Sequence, residues 1–355
     1  MKIQRQRLIF SIFFLLSIII GFLIWDSIIL KFENPDIIGE YSANSHNAAN
    51  DILRYLIFLA LPISVFIFYK YFTQIFFLDN VSKFLVKNEA NIPDDKKTLL
   101  LFFLLLLTFI FFEILSINFP IHNVDSFHEG QRLSSAYKYF TEGNLWSGSY
   151  VTVGIFYETL SSSIFWKFFD HMSIGLSRFA EIIYIFIFKI LFILFIYLLT
   201  KLSKLELKKK IIFFCFNSII FITLIDYDLN TIDNISFREI PIIILLILFT
   251  LLLNTQNSKI YIFFISILSP ISIFWGVDRG LICNILILIV LGYLLLAKRK
   301  NESFLLFVLI ILFWYFSYLY LGPEFKYFLN NTYLIFKEMS YVHGIIHPKV
   351  FSDDQ

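Results

Sequence analysis

The sequence predicts an all-α integral membrane protein of about nine transmembrane helices, with a large extracytoplasmic loop of surface helices after the third span. Three observations lead there. Of 355 residues, 58% are hydrophobic and only 16% charged, with Phe occurring 46 times and a mean hydropathy of +0.77. Such a chain has too little polar surface to enclose one core in water. Apolar runs recur at lengths suited to about 30 Å of hydrocarbon. Lysine and arginine alternate in density from one connecting segment to the next.

The runs place spans near 8–30, 52–72, 99–119, 181–200, 211–225, 240–253, 260–276, 281–297 and 304–321. The opening MKIQRQR and the apolar stretch behind it resemble a signal peptide, but no small-residue cleavage site follows, so this reads as an uncleaved first span. With the N-terminus inside, the inner segments (the first seven residues, 73–98, 201–210, 254–259 and 298–303) carry 16 basic residues in about 55 positions. The outer segments carry about ten in well over 100. The outer side then receives 31–51, the long loop 120–180, 226–239, the GVDRG hairpin at 276–280 and the tail from Gly322, with all six histidines (His46, His122, His128, His171, His343, His347) among them. Three regions follow: an N-terminal hairpin with its inner loop, 1–98; a core, 99–321; and an outer tail, 322–355. The Ile, Phe, Lys and Asn excess points to an AT-rich bacterial genome, and the location is a bacterial inner (cytoplasmic) membrane.

No basic block suggests nucleic acid. Cys215 and Cys283 both fall in spans, which argues against a disulfide framework or zinc site and for two small buried apolar residues.

The loop 120–180 is too apolar for a free linker. Ser126 to Glu129 reads S-x-x-E, a capping box that opens a helix through Thr141 with Leu133, Tyr137 and Phe140 on one stripe, ended by Gly143. A second helix, Ile155 to Phe169, sets Phe156, Leu160, Ile164 and Phe168 at helical spacing. Both carry charges and too few apolar residues to cross, so both are expected on the membrane surface. Within spans, Glu113 and Lys189 sit at similar depth and suggest an intramembrane ion pair, or groups lining a substrate path. Arg54 and Lys70 lie near span ends, where they can snorkel.

The densest set of titratable groups is Asp125, His128, Glu129 and Arg132. Asp125 at the outer surface is a candidate general base, since partial desolvation raises a carboxyl pKa; it equally serves to stabilise the dipole of the following helix. Glu129 is its alternative, although the capping box already accounts for it. His128 reads as a metal ligand, a second base or a surface histidine. Arg132, one turn on, can hold a phosphate. Asp226, Asp228, Asp233, Arg238 and Glu239 reach the same side, where acids can share a divalent cation or simply hydrate a loop. Asp278 and Arg279 are either turn decoration or an anchor for an anionic headgroup.

The run D125-S-F-H-E-G-Q-R, then Y139-F-T-E-G143-N-L-W146, a surface helix, and G175-L-S-R178 leading into a span resembles the first large loop of GT-C-type glycosyltransferases. The resemblance covers about 120–280. It implies a multi-span enzyme that uses a polyprenyl-phosphate-linked sugar in contact with membrane lipid, an acidic loop residue as base or metal ligand (Asp125, with Glu129 as alternative), and Arg178, Arg238 and Arg279 as contacts to lipid phosphate. The chain departs from that pattern in three ways. The motif follows the third span rather than the first, Val153-Gly154-Ile155 replaces a Pro-rich segment, and the chain ends after about nine spans, which reads as a shortened or inactive member. Two other classes compete: a transporter or flippase for a lipid-linked saccharide, for which no internal repeat is visible, and a non-catalytic partner in envelope assembly.

Overall fold

The computed structural model describes residues 2–28, 48–73, 96–115, 128–148, 151–202, 205–224, 238–254 and 258–342. All regular structure among them is helical. The helices are α1 (Lys2–Ile24), α2 (Ala48–Thr73), α3 (Lys96–Leu115), α4 (His128–Glu142), α5 (Ser161–Phe169, continuing a π-helical turn at Phe156–Leu160), α6 (Ile174–Leu202), α7 (Leu207–Leu224), α8 (Ile240–Asn254), α9 (Lys259–Trp275), α10 (Val277–Leu296), α11 (Lys300–Leu321) and α12 (Pro323–Val342).

Three of these, α6, α10 and α11, are long and apolar enough to cross a membrane by length and composition. At other expected positions shorter apolar stretches are described: Leu8–Ile24 within α1, Leu53–Tyr69 within α2, Phe102–Phe112 within α3, Ile240–Leu253 within α8, and Lys259–Trp275, which is α9. At about 1.5 Å per residue the 15-residue α8 and the 17-residue α9 reach about 23 and 26 Å, short of about 30 Å of hydrocarbon, and length and composition together support three spans among the described residues rather than nine. The apolar face pattern nevertheless agrees with lipid: on α11 only Ser303 and Leu306 are buried, while Phe304, Phe307, Ile311, Tyr315 and Phe316 point outward.

The chain divides into two compact units, Met1–Lys83 with Thr332–Gln355, and Phe84–Asn331. These boundaries stand beside 98/99 and 321/322 in the sequence reading. In the first unit α1 and α2 pack closely: a Cβ on Gly21 would lie 2.7 Å from the Phe58 ring, and Trp25 meets Tyr55 edge-on at 4.7 Å. Arg54, expected to snorkel, is buried and donates from Nε to the Ile28 carbonyl at 2.9 Å.

In the second unit α8, α9, α10 and α11 surround a core of Leu245, Leu252, Ile262, Ile265, Ile287 and Leu294. Close helix approach requires small residues. A Cβ on Gly280 would sit 2.4 Å from the Ser272 carbonyl, so α10 and α9 touch backbone to backbone there. Polar side chains inside this bundle satisfy one another: Ser269 Oγ donates to Asn284 Oδ1 at 2.6 Å, Asn284 Nδ2 donates to the Ser269 and Gly280 carbonyls at 3.0 and 2.9 Å, and Trp314 Nε1 donates to Ser269 Oγ at 3.0 Å. Cys283 is buried beside them and Cys215 is half-buried on α7, both as free thiols.

α12, expected as part of an outer tail, begins as a brace in the second unit. Glu324 in its first turn accepts from the Trp146 and Ser147 amides at 2.7 and 3.1 Å and from the Ser147 hydroxyl. Two turns later the Asn331 amide grips Val151 at both its N–H (3.1 Å) and its carbonyl (2.5 Å). Burial would raise the Glu324 carboxyl, but the hydrogen bonds from Ser147, Trp146 and Leu145 outweigh it and hold the group below its ordinary value of 4.5. A depressed carboxyl stabilises the fold above its unfolded-state pKa and loses that contribution as pH falls through the lower, folded-state one. Acidification below the ordinary glutamate range should therefore release α12 from residues 145–148, seen as a red shift of the emission of buried Trp146. Glu324→Gln should remove that acid step, and an identical acid profile in both proteins would refute the link.

Candidate functional site

Helix α4 begins at His128 and closes as the sequence implies, with Gly143 at φ +76° donating to the Tyr139 carbonyl at 3.0 Å. The second helix of the loop also forms, over Phe156–Phe169, and ends where Asp170 takes the left-handed conformation. Its buried face is polar: Glu158, Thr159, Ser161, Ser162 and Ser163, beside Tyr157 and Trp166. These groups have partners inside the loop, with Ser135 and Thr159 hydroxyls 2.6 Å apart, Ser162 bonded to Ser177, and Trp166 Nε1 donating to the Ser173 carbonyl at 2.9 Å.

Charged residues from α4 and α6 interlock. Arg132 forks onto both oxygens of Glu181 at 2.9 and 3.1 Å, and Arg178 forks onto both oxygens of Glu129 at 2.7 and 2.8 Å. Each helix supplies one acid and one arginine three residues apart, E-x-x-R on α4 and R-x-x-E on α6, so the two bidentate pairs form a crossed clamp. Buried Tyr157 extends it: the Arg132 and Arg238 guanidinium carbons lie 5.9 and 5.3 Å from its ring centroid. Beyond Tyr157, Asp278 stands 3.4 Å from Arg238 and 3.7 Å from Arg279, and Arg279 pairs with Glu239 at 2.6 Å. One continuous ladder of ion pairs thus runs from α4 and α6, past Tyr157, to the first turn of α10 and the residues just before α8. Burial pushes the Glu239 carboxyl above its ordinary value, opposed by Arg279.

A strap, Val151–Gly154, is bound by four partners. Asn331 holds Val151; Glu158 accepts from the Thr152 amide at 2.7 Å and from its hydroxyl; Gln131 on α4 contacts Thr152 and donates to Glu158 at 2.8 Å; and the Val153 carbonyl accepts from the Val277 amide at 2.6 Å. Gly154 permits this last approach, since a Cβ there would lie 2.4 Å from the Trp275 carbonyl. Phe156 stacks on Trp275 with centroids 3.7 Å apart. Burial raises the Glu158 carboxyl, against the hydrogen bonds from Thr152, Val153 and Gln131. Its place is that of a brace on the strap.

Of the residues singled out in the sequence, Glu129, Arg132, Arg178, Arg238, Asp278 and Arg279 are brought together in this ladder. Asp125 and the His128 side chain lie outside the described residues, as do Asp226, Asp228, Asp233 and the Glu113 side chain. Lys189 is fully buried on α6. Glu129, gripped by both arms of Arg178, is held in place by the clamp. Among the described residues no group of three or more His, Cys, Asp or Glu gathers around a possible metal position. Sequence reasoning missed Glu181, Glu158, Tyr157, Gln131, Thr152 and Asn331. No protein-family model, curated protein or solved structure matches this chain.

Proposed function

We propose that the protein is a membrane glycosyltransferase of the GT-C type, with about nine helices threading the bacterial cytoplasmic membrane and its N-terminus inside. It moves a sugar from a polyprenyl-phosphate donor to a glycan, lipid or protein acceptor at the extracytoplasmic face. The observation that supports this reading best is the ladder itself. Every arginine that the resemblance assigns to lipid phosphate (Arg178, Arg238, Arg279), together with Arg132, belongs to one network. That network is built between the loop and the adjoining ends of α6, α8 and α10.

The chemistry needs two things. The acceptor hydroxyl gives its proton to a carboxylate, Asp125, as its oxygen bonds to the sugar's anomeric carbon. The bond from that carbon to the phosphate oxygen breaks, and the electron pair leaves with the polyprenyl phosphate, whose charge the half-exposed guanidinium of Arg279 and its neighbour Arg238 are placed to stabilise. The strap and the ion pairs hold Arg238 and Arg279 in register.

Membranes containing the protein, given polyprenyl-phosphate hexose with a radiolabelled sugar, should release free polyprenyl phosphate. Asp125→Asn should lower that release at least about 100-fold with membrane expression intact, the usual scale for a lost general base. Full activity in Asp125→Asn would remove this mechanism. Buried Lys189 keeps a second reading, a flippase for a lipid-linked saccharide, in view. For that reading Glu113→Gln is the damaging change and Asp125→Asn is silent.

A further inference from the structure

Helices α4 and α5 turn opposite kinds of surface outward. α4 exposes Ser134, Tyr137, Lys138, Thr141 and Glu142, with Lys138 and Glu142 paired at 2.8 Å, as a helix facing water does. α5 is inverted. Its three serines face inward, and its exterior shows Ile164, Phe168 and Phe169 beside the exposed Lys167, with Phe168 80% exposed. In water that arrangement would leave a bare apolar patch beside a set of internally hydrogen-bonded serines.

The length of α6 indicates where α5 lies. Twenty-nine residues at about 1.5 Å span about 43 Å. That is about 13 Å more than the hydrocarbon layer and close to the full bilayer with headgroups. The excess is the charged first two turns, Ile174–Glu181, where Arg178 pairs with Glu129 and Glu181 with Arg132 of α4. α5 packs back along this stretch, with Ser162 bonded to Ser177 and Phe165 lying 6.0 Å from both Phe179 and Tyr184. Its exposed face continues into the exposed Met172, Ile174 and Phe179, and so into the outer surface of a candidate span. Lys167, on the neighbouring face, lays its ammonium 3.9 Å from the Tyr139 ring centroid, a cation placed for the headgroup layer.

We propose that α5 alone seats the outer loop in the bilayer, its Ile164/Phe168/Phe169 face against the acyl chains of the outer leaflet's phospholipids, while α4 forms the water-facing roof. The surface helix is thereby the floor that sets the height of the ion-pair ladder above the lipid. This rests on α6, α10 and α11 being membrane spans.

The test is photo-cross-linking in vesicles of phosphatidylethanolamine and phosphatidylglycerol, with p-benzoylphenylalanine introduced in turn at Phe168, at Thr141 on α4, and at Phe307 on the exposed face of α11. Phospholipid adducts are expected at 168 and 307 in comparable yield and at least about tenfold less at 141. An adduct at 307 with none at 168, or linkage of 168 to a second copy of the chain, overturns the proposal and leaves the membrane reading standing. Absence of lipid adducts at 307 overturns the membrane reading, and the seating of α5 with it.

Discussion

Arg132→Met should destabilise the protein by about 3–5 kcal/mol, the usual cost of removing one member of a buried ion pair. The reason lies in what remains. Arg132 and Glu181 have side chains only 4% and 7% exposed, so Glu181 would be left as a buried carboxylate without its bidentate partner. Glu181→Leu alone should cost a similar amount by stranding the guanidinium. The double variant Arg132→Met/Glu181→Leu should recover most of the loss, because two apolar groups strand no charge. Denaturant unfolding of the four proteins in lipid discs measures the coupling as a double-mutant cycle. Single-variant costs below about 1 kcal/mol would mark the pair as no stronger than an exposed one, and the clamp would lose its structural role. Arg178 is the gentler probe, since its side chain is 12% exposed and can draw water when Glu129 is changed.

The clamp also shows how far a sequence reading reaches. His128–Glu142 and Phe156–Phe169 were legible because helix periodicity and a terminal glycine are local signals. Arg132 was legible in a dense group of titratable residues, Arg238, Asp278 and Arg279 as charges in short segments between apolar runs, and Arg178 only through the G-x-x-x-R resemblance. Glu181 was not, because it stands at the edge of an apolar run where a carboxylate reads as part of the span's end; its partner is 49 positions away. One trace was available in principle, the reversed pattern of E-x-x-R at Glu129–Arg132 against R-x-x-E at Arg178–Glu181. Glu158 was hidden for a different reason. Phe156, Leu160, Ile164 and Phe168 mark one stripe of its helix, whereas in this chain the opposite, polar face is buried. Amphipathicity gives two faces, and only tertiary context says which one meets the protein. Asn331 and Glu324 fell in a segment read as a tail, since backbone capture by side chains leaves no periodic mark. The nine-span count goes beyond the three helices that length and composition support among the described residues: α8 and α9 are strongly apolar but only 15 and 17 residues long. Hydropathy registers their composition more strongly than their reach.

Gly154→Ala should unfasten the strap. Its new Cβ would lie 2.4 Å from the Trp275 carbonyl oxygen and 2.5 Å from the Gly276 Cα, and both obstacles are backbone, so no side chain can swing aside. The strap must retreat, which breaks the bond from the Val277 amide to the Val153 carbonyl and opens the Phe156–Trp275 stack. Overpacking of this kind costs about 1–3 kcal/mol, with the lost hydrogen bond adding about 1. Gly292→Ala, where an added Cβ meets open space, is the matched control and should be neutral or slightly stabilising in its helix. Amide hydrogen exchange should quicken at Val277 and Thr152 in the first variant and at neither in the second. Under the glycosyltransferase reading, Gly154→Ala should also lower sugar transfer more than it lowers stability. The strap ties the loop to the first turn of α10, where Asp278 and Arg279 are held, and a displacement of about 1 Å at such a point is enough to cost about 100-fold in rate. Unchanged protection at Val277 in Gly154→Ala would mean that the strap does not fix that turn, and the positioning argument for Arg279 would fall with it.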